Sequence, residues 1–143
     1  MSKFSAFMKQ NKQAKGNEKF APTTSLIGSD GTPIRWEFKH ITSKENDDLR
    51  DACTIDVPVT GKPNMFRPKL NTSKYLVQMI VKSTVYPDLY DKELQDSYGV
   101  MTPEELVYAL VDDAGEYQDF CTWMQKFQGF TKTLDEKVND AKN

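Results

Sequence analysis

The sequence predicts an α+β fold that is mostly helical, with four to five helices and one N-terminal β-hairpin. Two observations predict it. Most of the chain combines helix-starting and helix-stopping residues with apolar residues at helical spacing, whereas residues 34–40 alternate apolar and polar side chains as a strand does. The length of 143 residues fits one domain. We divide it into an N-terminal arm at 1–19, a globular core at 20–130 and a charged, mobile tail at 131–143.

The arm carries one short apolar pattern. Phe4, Phe7 and Met8 stand at i, i+3, i+4 spacing, which predicts a short amphipathic helix that docks onto this chain or onto a partner. The polar residues that follow predict a flexible connector. A disordered terminus is the alternative for such a segment.

The predicted hairpin spans residues 20–41. Its second strand, residues 34–40, places apolar side chains on one face and charged side chains on the other. The link before it contains two Gly and one Pro, which supports a turn. The first strand is expected around Thr24–Ile27.

The helices are predicted from their caps and their apolar stripes. Thr42 and Glu45 form a capping box for the first helix, and Thr102 followed by Pro opens the fourth. The second helix is the most apolar and is expected to be central, while Gly99 and Gly129 end the third and the fifth. The predicted helices lie at residues 42–53, 73–86, 91–98, 102–111 and 115–128.

Residues 55–71 contain three Pro and one Gly, so they predict a long loop with extended pieces and no helix. Loops of this length in compact proteins are often functional or mobile. Met65 and Phe66 either anchor this loop or form an exposed contact.

The composition offers no catalytic or metal site. His40 is the single His and is expected to pack against its neighbours, because a catalytic base also needs a nucleophile and an orienting partner. Cys53 and Cys121 make no disulfide framework and are expected to be reduced, buried apolar groups. No apolar run approaches the roughly 18 residues of a membrane span, and the N-terminus lacks the apolar region of a secretory signal. We therefore predict no enzyme activity, no cofactor, no metal and no membrane partner.

The net charge of -2 is unevenly distributed. Residues 1–87 carry a balance of +6, residues 88–119 a balance of -9, and residues 120–143 a balance of +1. A nucleic-acid-binding protein usually carries a strongly basic domain, so this distribution argues against nucleic acid as a partner. It predicts either an acidic surface that faces a partner or attraction between the two halves of the chain.

The string VYPDLYDKELQDSYG at residues 85–99 resembles the hallmark of the XkdN-like tail assembly chaperones of phages and defective prophages of Gram-positive bacteria. Other segments are similar to the same family in the same order, and the resemblance covers about residues 1–130. These segments are SKFSAFMKQNK near the N-terminus, GTPIRWE at 31–37, ITSKENDDLRDAC at 41–53, Tyr75-Leu76, Glu104-Glu105-Leu106, GEYQDF at 115–120 and QGF at 128–130.

This resemblance implies a function. Members of the family bind the long, helical, aggregation-prone tape measure protein in the host cytoplasm, help to deliver tail tube subunits to it, and leave before the tail is complete. In many phages a frameshift yields a second, longer chaperone form. The resemblance thus implies that this chain binds the tape measure protein, with the tail tube protein and a longer frameshifted form as further partners, and is not in the mature virion. A structural tail or connector component of the virion is the alternative.

The residues expected to contact the partner come from the arm and from the hallmark segment. They are Phe4, Phe7, Met8, Tyr86, Leu89, Tyr90, Asp96 and Tyr98. A protein that shields apolar cargo needs exposed apolar surface and charges that keep the complex soluble, and residues 88–119 supply the charges. Core packing is the alternative, above all for Leu89, Trp123 and Phe127, because large apolar residues are usually buried. The hallmark itself either binds a partner or serves the fold.

Overall fold

The computed structural model describes residues 3–130, in which five helices accompany a three-stranded sheet and a separate two-stranded hairpin. This confirms the predicted α+β class. The expected mobile tail at 131–143 lies outside the described residues. The strands are β1 (Glu18–Phe20), β2 (Trp36–Phe38), β3 (Thr54–Pro58), β4 (Phe66–Leu70) and β5 (Thr84–Tyr86). The helices are α1 (Ser43–Ala52), α2 (Thr72–Ser83), α3 (Lys92–Ser97), α4 (Pro103–Leu110) and α5 (Ala114–Phe127).

The three-stranded sheet is antiparallel and has the order β1-β2-β5. Its central strand turns Trp36 and Phe38 into the core, as the alternating sequence predicts. The N-terminal strand pair is therefore confirmed, but the first strand is Glu18–Phe20 and not the expected Thr24–Ile27. The sequence did not predict β1, because residues 17–19 are polar and show no apolar alternation. A three-residue edge strand buries little of its own surface and so needs few apolar residues.

The segment that was expected to form the first strand makes a local turn instead. Ile27 and Pro33 form an isolated β-bridge, and the Ile34 amide donates to the Leu26 carbonyl at 2.9 Å. Gly31, at the tip, has a φ of +82°, a backbone conformation that side chains with a Cβ rarely adopt. The turn residues of the predicted link are thus confirmed in their role, although they close a bridge and not two full strands.

The helix boundaries follow the caps in the sequence. Thr42 and Glu45 form both hydrogen bonds of the capping box of α1, and the Thr102 side chain accepts a hydrogen bond from the third residue of α4. Gly99 and Gly129 follow α3 and α5 with φ values of +68° and +93°. These predicted starts and stops are confirmed.

The apolar segment 73–86 divides between two elements. Helix α2 ends at Ser83, and the rest forms β5, which pairs with β2. Thr84 and Val85 are β-branched and favour a strand, and β2 supplies the partner that local helical spacing does not reveal. The Tyr86–Pro87 peptide bond after this strand is cis.

The core lies between β2 and the helices α2, α4 and α5. The Phe120 ring meets Trp36 edge to face at a centroid distance of 5.6 Å. Cys53 and Cys121 are buried, and His40 stacks on Phe127 at 4.2 Å, so these three residues pack as predicted. The largest fully buried side chains are Trp36, Phe38, Phe120, Met79, Ile80, Leu106 and Met124.

Gln128 joins the sheet to two helices. Its side-chain oxygen accepts from the Ile41 amide at 2.9 Å, and its amide nitrogen donates to Ser83 Oγ at 3.0 Å and to the Lys39 carbonyl at 3.3 Å. Because Ser83 directly precedes β5, this network fixes where β5 begins. A partly buried network of this kind is stabilising only while all its members are satisfied.

The segment 55–71 is more regular than the predicted loop. Strands β3 and β4 pair over five residues each, from Thr54 with Leu70 to Pro58 with Phe66. Tertiary pairing overrides the local proline signal, since Pro58 and Pro68 are tolerated in a ribbon of two strands that are both edges. Met65 and Phe66 are exposed, so they form an exposed surface and do not anchor the segment.

The arm forms two 3-10 turns, Ser5–Phe7 and Lys9–Asn11, in place of the predicted amphipathic helix. The rings of Phe4 and Phe7 contact each other edge to face at 6.3 Å. Residues 12–17 have no regular secondary structure and are exposed.

Within residues 3–130, no helix combines the length and apolar character needed to cross a membrane.

Candidate partner-binding cleft

An apolar cleft opens beside the hallmark segment. Its volume is about 180 Å³. The buried side chains of Trp36 and Leu110 contribute to its lining, so the cleft reaches the core. Since a cavity of about 150 Å³ admits a benzene ring, this cleft has room for one aromatic or large aliphatic side chain. The cleft is lined by Leu26, Ile34, Trp36, Tyr86, Pro87, Leu94, Tyr98 and Leu110.

The hallmark segment builds one side of this cleft through local hydrogen bonds. The Asp91 side chain caps α3 by accepting from the Leu94 amide at 2.8 Å, and Gln95 Nε2 donates to the Leu89 carbonyl at 2.8 Å. At the other end, the amides of Gly99 and Val100 donate back to the last turn of α3 and complete a Schellman motif. Asp91, Gln95 and Gly99 therefore hold α3 in place, and Leu94 and Tyr98 line the cleft.

The structure brings two of the sequence-predicted contact residues together in the cleft. Tyr86 and Tyr98 both line it, and they are 59% and 39% exposed. Tyr90 and Asp96 are exposed near the cleft but do not line it. Leu89 is only 3% exposed and packs into the core, because the turn after Pro87 directs it inward. It supports the fold and is unavailable to a partner in this conformation.

The other predicted contact residues belong to the arm, which does not line the cleft. Phe4, Phe7 and Met8 are all exposed, with Phe7 the most exposed of them at 84%. Large apolar side chains at this exposure mark an interaction surface more often than a packed element. Trp123 and Phe127 are partly buried, and they stack on each other at 5.0 Å beside the core.

The segment that supplies one wall of the cleft is acidic. Asp88, Asp91, Glu93 and Asp96 lie on α3 and the turn before it, and all four are exposed. Lys92 offsets one of these charges through an exposed ion pair with Asp96 at 3.3 Å, which contributes little to stability. An apolar depression beside an acidic segment favours a partner that presents apolar side chains and cations.

The opposite wall of the cleft comes from the link between β1 and β2. This link is held by Glu116 of α5, whose carboxylate accepts from Thr23 Oγ1 at 2.8 Å, the Thr24 amide at 2.8 Å and Thr24 Oγ1 at 3.0 Å. These hydrogen bonds, the backbone one first, lower the pKa of Glu116 below its usual value. The arrangement fixes the part of the chain that carries Leu26 and Ile34.

The sequence predicted Tyr86 and Tyr98 as contacts but not the other residues that line the cleft, of which Leu26 and Ile34 lie furthest from the hallmark in the chain. Each is partly buried and lies about 50 to 60 residues before the hallmark, so no local pattern relates them to it. The only sequence signal was the apolar character of the two positions that flank the Gly-rich turn. Their place in the cleft depends on tertiary contacts.

Among residues 3–130, no three of His, Cys, Asp and Glu are grouped so that they could hold a metal ion. Burial raises the pKa of the Cys53 thiol, which disfavours the reactive thiolate.

The sequence pattern of the phage XkdN-like tail assembly chaperone proteins matches residues 4–142 of this chain. This match extends over nearly the whole chain and includes the arm, the hallmark and both walls of the cleft. The chain belongs to this family. The matched range includes the string at residues 85–99, in which Asp91, Gln95 and Gly99 hold α3 in place.

Two relatives in Bacillus subtilis (strain 168) are similar over 118 residues, which is 82% of this chain and 78% of each relative. The phage-like element PBSX protein XkdN is 25% identical, and the uncharacterized protein YqbN is 26% identical. A crystal structure of YqbN superposes with a TM-score of 0.72 and 22% sequence identity, covering 91% of this chain and 98% of that chain. At this identity the likeness shows the shared fold alone.

Proposed function

We propose that this protein is a non-catalytic chaperone that binds the tape measure protein and assists assembly of the tail tube around it. The observation that carries the proposal is the membership of the tail assembly chaperone family together with an apolar, acid-bordered cleft at the family hallmark. A tape measure is a long helical chain with exposed apolar stripes. It needs a partner that covers those stripes until tube subunits replace it.

The cleft suits a helical stripe. Apolar side chains recur every three or four residues along one face of an amphipathic helix, and one such side chain fills the cleft. The two tyrosines on the lining, Tyr86 and Tyr98, combine apolar rings with a polar hydroxyl, which is the composition of many binding hot spots. The carboxylates on α3 pair with cations beside the stripe and keep the complex in solution.

The arm is the second contact in this proposal. Phe4, Phe7 and Met8 extend the apolar surface to a part of the chain that a connector of exposed residues joins to the core. Two weak contacts on one cargo bind more tightly than either alone, because the second contact is made at a high effective concentration. The arm and the cleft together then hold short or repeated apolar stripes of the cargo, and no single deep pocket is needed.

The proposal places the protein in the host cytoplasm and outside the mature virion. The tail tube protein and a longer frameshifted form of the chaperone are its further partners. The competing function, a structural tail or connector component, requires a fixed number of copies in finished tails. Mass spectrometry of purified particles separates the two functions. Absence of this protein from the particles supports the chaperone, and a fixed copy number in each particle supports the structural component.

Co-expression tests the proposal directly. The tape measure protein of the same phage or prophage is produced in bacteria alone, with this protein, and with an unrelated soluble protein of similar size. We expect a larger soluble fraction of tape measure protein only when this protein is present, because its apolar stripes are then covered. Unchanged solubility in all three cultures would contradict the proposal.

A further inference from the structure

The β3-β4 hairpin projects an apolar tip away from the core. Its base is fixed, since the Asn71 amide donates to the carbonyl of buried Cys53 at 2.7 Å. Its tip is not buried: Phe66 is 63% exposed and Met65 is 52% exposed. A paired ribbon that carries large apolar side chains into solvent is the form of a docking element, because strand pairing restricts the backbone that presents them and so lowers the conformational entropy lost on binding.

The hairpin is also basic. Lys62, Arg67 and Lys69 lie on it or on its tip, against the single carboxylate of Asp56. Direct pairing of two such hairpins is disfavoured by like charge. Addition of a strand to its edges is disfavoured by Pro58 and Pro68, which lack an N–H to donate. The hairpin therefore favours a partner surface that is apolar and acidic.

The same chain carries a surface of that description. The cleft has room for one aromatic ring, and the turn and helix beside it carry Asp88, Asp91, Glu93 and Asp96 with one lysine. At the level of the whole sequence, residues 1–87 are basic and residues 88–119 are strongly acidic. Charge of opposite sign on two different surfaces of one molecule favours head-to-tail contact between copies.

We propose that the β3-β4 hairpin of one copy inserts Phe66 into the cleft of a second copy, with Lys62 and Arg67 facing the carboxylates around α3. The contact uses two different surfaces, so each copy retains one unused hairpin and one unused cleft. Association then proceeds to chains or closed rings of copies and depends on protein concentration. It weakens as salt screens the charges.

This contact has a regulatory consequence that rests on the proposed function. A cleft filled by a neighbour's Phe66 is covered, so the chaperone shields its own apolar surface until cargo is available. Cargo and self-association then exclude each other. The self-association itself is tested without any tape measure protein, so its failure leaves the proposed function standing.

A charge exchange tests the contact. One variant reverses the hairpin, Lys62→Glu/Arg67→Glu, and the other reverses the cleft border, Glu93→Lys/Asp96→Lys. All four side chains are exposed, so both variants are expected to fold, which circular dichroism checks. Sedimentation velocity at low salt and increasing concentration measures the mass of wild type, of each variant and of their equimolar mixture.

We expect wild type to associate above its monomer mass of 16.4 kDa. Each variant alone is expected to stay at monomer mass, since its hairpin and cleft now carry charges of the same sign. In the mixture, both possible contacts again join opposite charges, so the mass is expected to return to that of wild type. A monomeric wild type at every concentration, or a mixture that stays monomeric, would overturn the proposal.

Two further variants identify the occupant of the cleft. Phe66→Ser is expected to abolish association, whereas Phe4→Ser/Phe7→Ser is expected to leave it unchanged. The opposite result would show that the basic arm, and not the hairpin, fills the neighbour's cleft, and would overturn the proposal. Association that survives both changes would also overturn it, because the contact would then lie elsewhere.

Discussion

Trp36 connects the stability of this protein with its candidate binding site. One part of its side chain packs against Phe38 and Phe120, and another part lines the cleft. The sequence predicted the first role, because Trp36 lies on the apolar face of an alternating strand. It did not predict the second, since the cleft forms only when Tyr86 and Leu110 are brought beside it.

We predict that Trp36→Ala lowers the free energy of unfolding by about 3–5 kcal/mol, because it removes a fully buried aromatic side chain and leaves a cavity. Chemical denaturation followed by circular dichroism measures the change. Trp123 remains as a fluorescence probe in the variant. An unchanged unfolding midpoint would show that the face of β2 is not buried in the core.

Glu116 gives the stability a pH dependence of known sign. Its pKa is lowered by hydrogen bonds from Thr24 and Thr23, so its stabilising effect is present above the pKa of an unfolded glutamate and is lost as the pH falls through the folded value. We predict that wild type is more stable than Glu116→Gln at about pH 7 and that the difference shrinks as the pH falls below the ordinary glutamate pKa of about 4.3 and through the lowered folded value. Denaturation at a series of pH values measures it, with Asp119→Asn, an exposed carboxylate on the same helix, as the control. A difference that grows on acidification would contradict this prediction.

At the scale of the element, the hallmark segment separates into residues that build α3 and residues that face solvent. Asp91, Gln95 and Gly99 close the ends of the helix and fix the turn before it. Tyr86 and Tyr98 line the cleft and remain partly exposed. The two interpretations of the hallmark, folding and binding, therefore apply to different residues of the same string.

This separation predicts different effects for two substitutions. Gly99→Ala is expected to lower stability by about 1–2 kcal/mol, because alanine is strained at a φ of +68°. We expect Gly99→Ala to change partner binding only as far as it lowers the fraction of folded protein. Thermal unfolding measures the change, and Gly16→Ala, in the exposed connector with no atom near its added Cβ, is the control. Equal stability of both variants would show that the Schellman motif does not hold α3.

The arm is predicted to act in binding and not in folding. Phe4→Ser/Phe7→Ser is expected to weaken capture of the tape measure protein while the melting temperature stays nearly unchanged, because both rings are exposed. Co-purification and a thermal scan of the same preparations measure the two properties. A large fall in melting temperature would place the rings in a packed core instead.

The sequence predicted helices better than strands, for a physical reason. Thr42, Thr102 and Gly129 act on residues within four positions, so helix ends can be read locally. Strand β5 depends on β2, more than 40 residues earlier in the chain, and in the β3-β4 hairpin Pro68 argued locally against a strand. The cleft shows the same limit, because Leu26 and Ile34 lie far from the hallmark in the chain, in a segment that Glu116 hydrogen-bonds at Thr23 and Thr24.

At the scale of the whole molecule, apolar surface and charge are arranged for contact with other chains. The arm, the cleft and the hairpin tip each expose large apolar side chains. The charge runs from a basic first part of the sequence to an acidic segment at 88–119. In the proposed function, these surfaces contact apolar, helical cargo and the charges keep the complex in solution.

The central claim is that the cleft at the hallmark holds the tape measure protein. Its most direct test is the amount of tape measure protein that co-purifies with tagged wild type, with Tyr86→Ser/Tyr98→Ser, and with Tyr108→Ser, which changes an exposed tyrosine outside the cleft. We predict that the cleft variant loses most of the co-purified protein, at least about tenfold if each ring contributes about 1 kcal/mol, and that the control retains it. Equal capture by all three folded proteins would contradict the account.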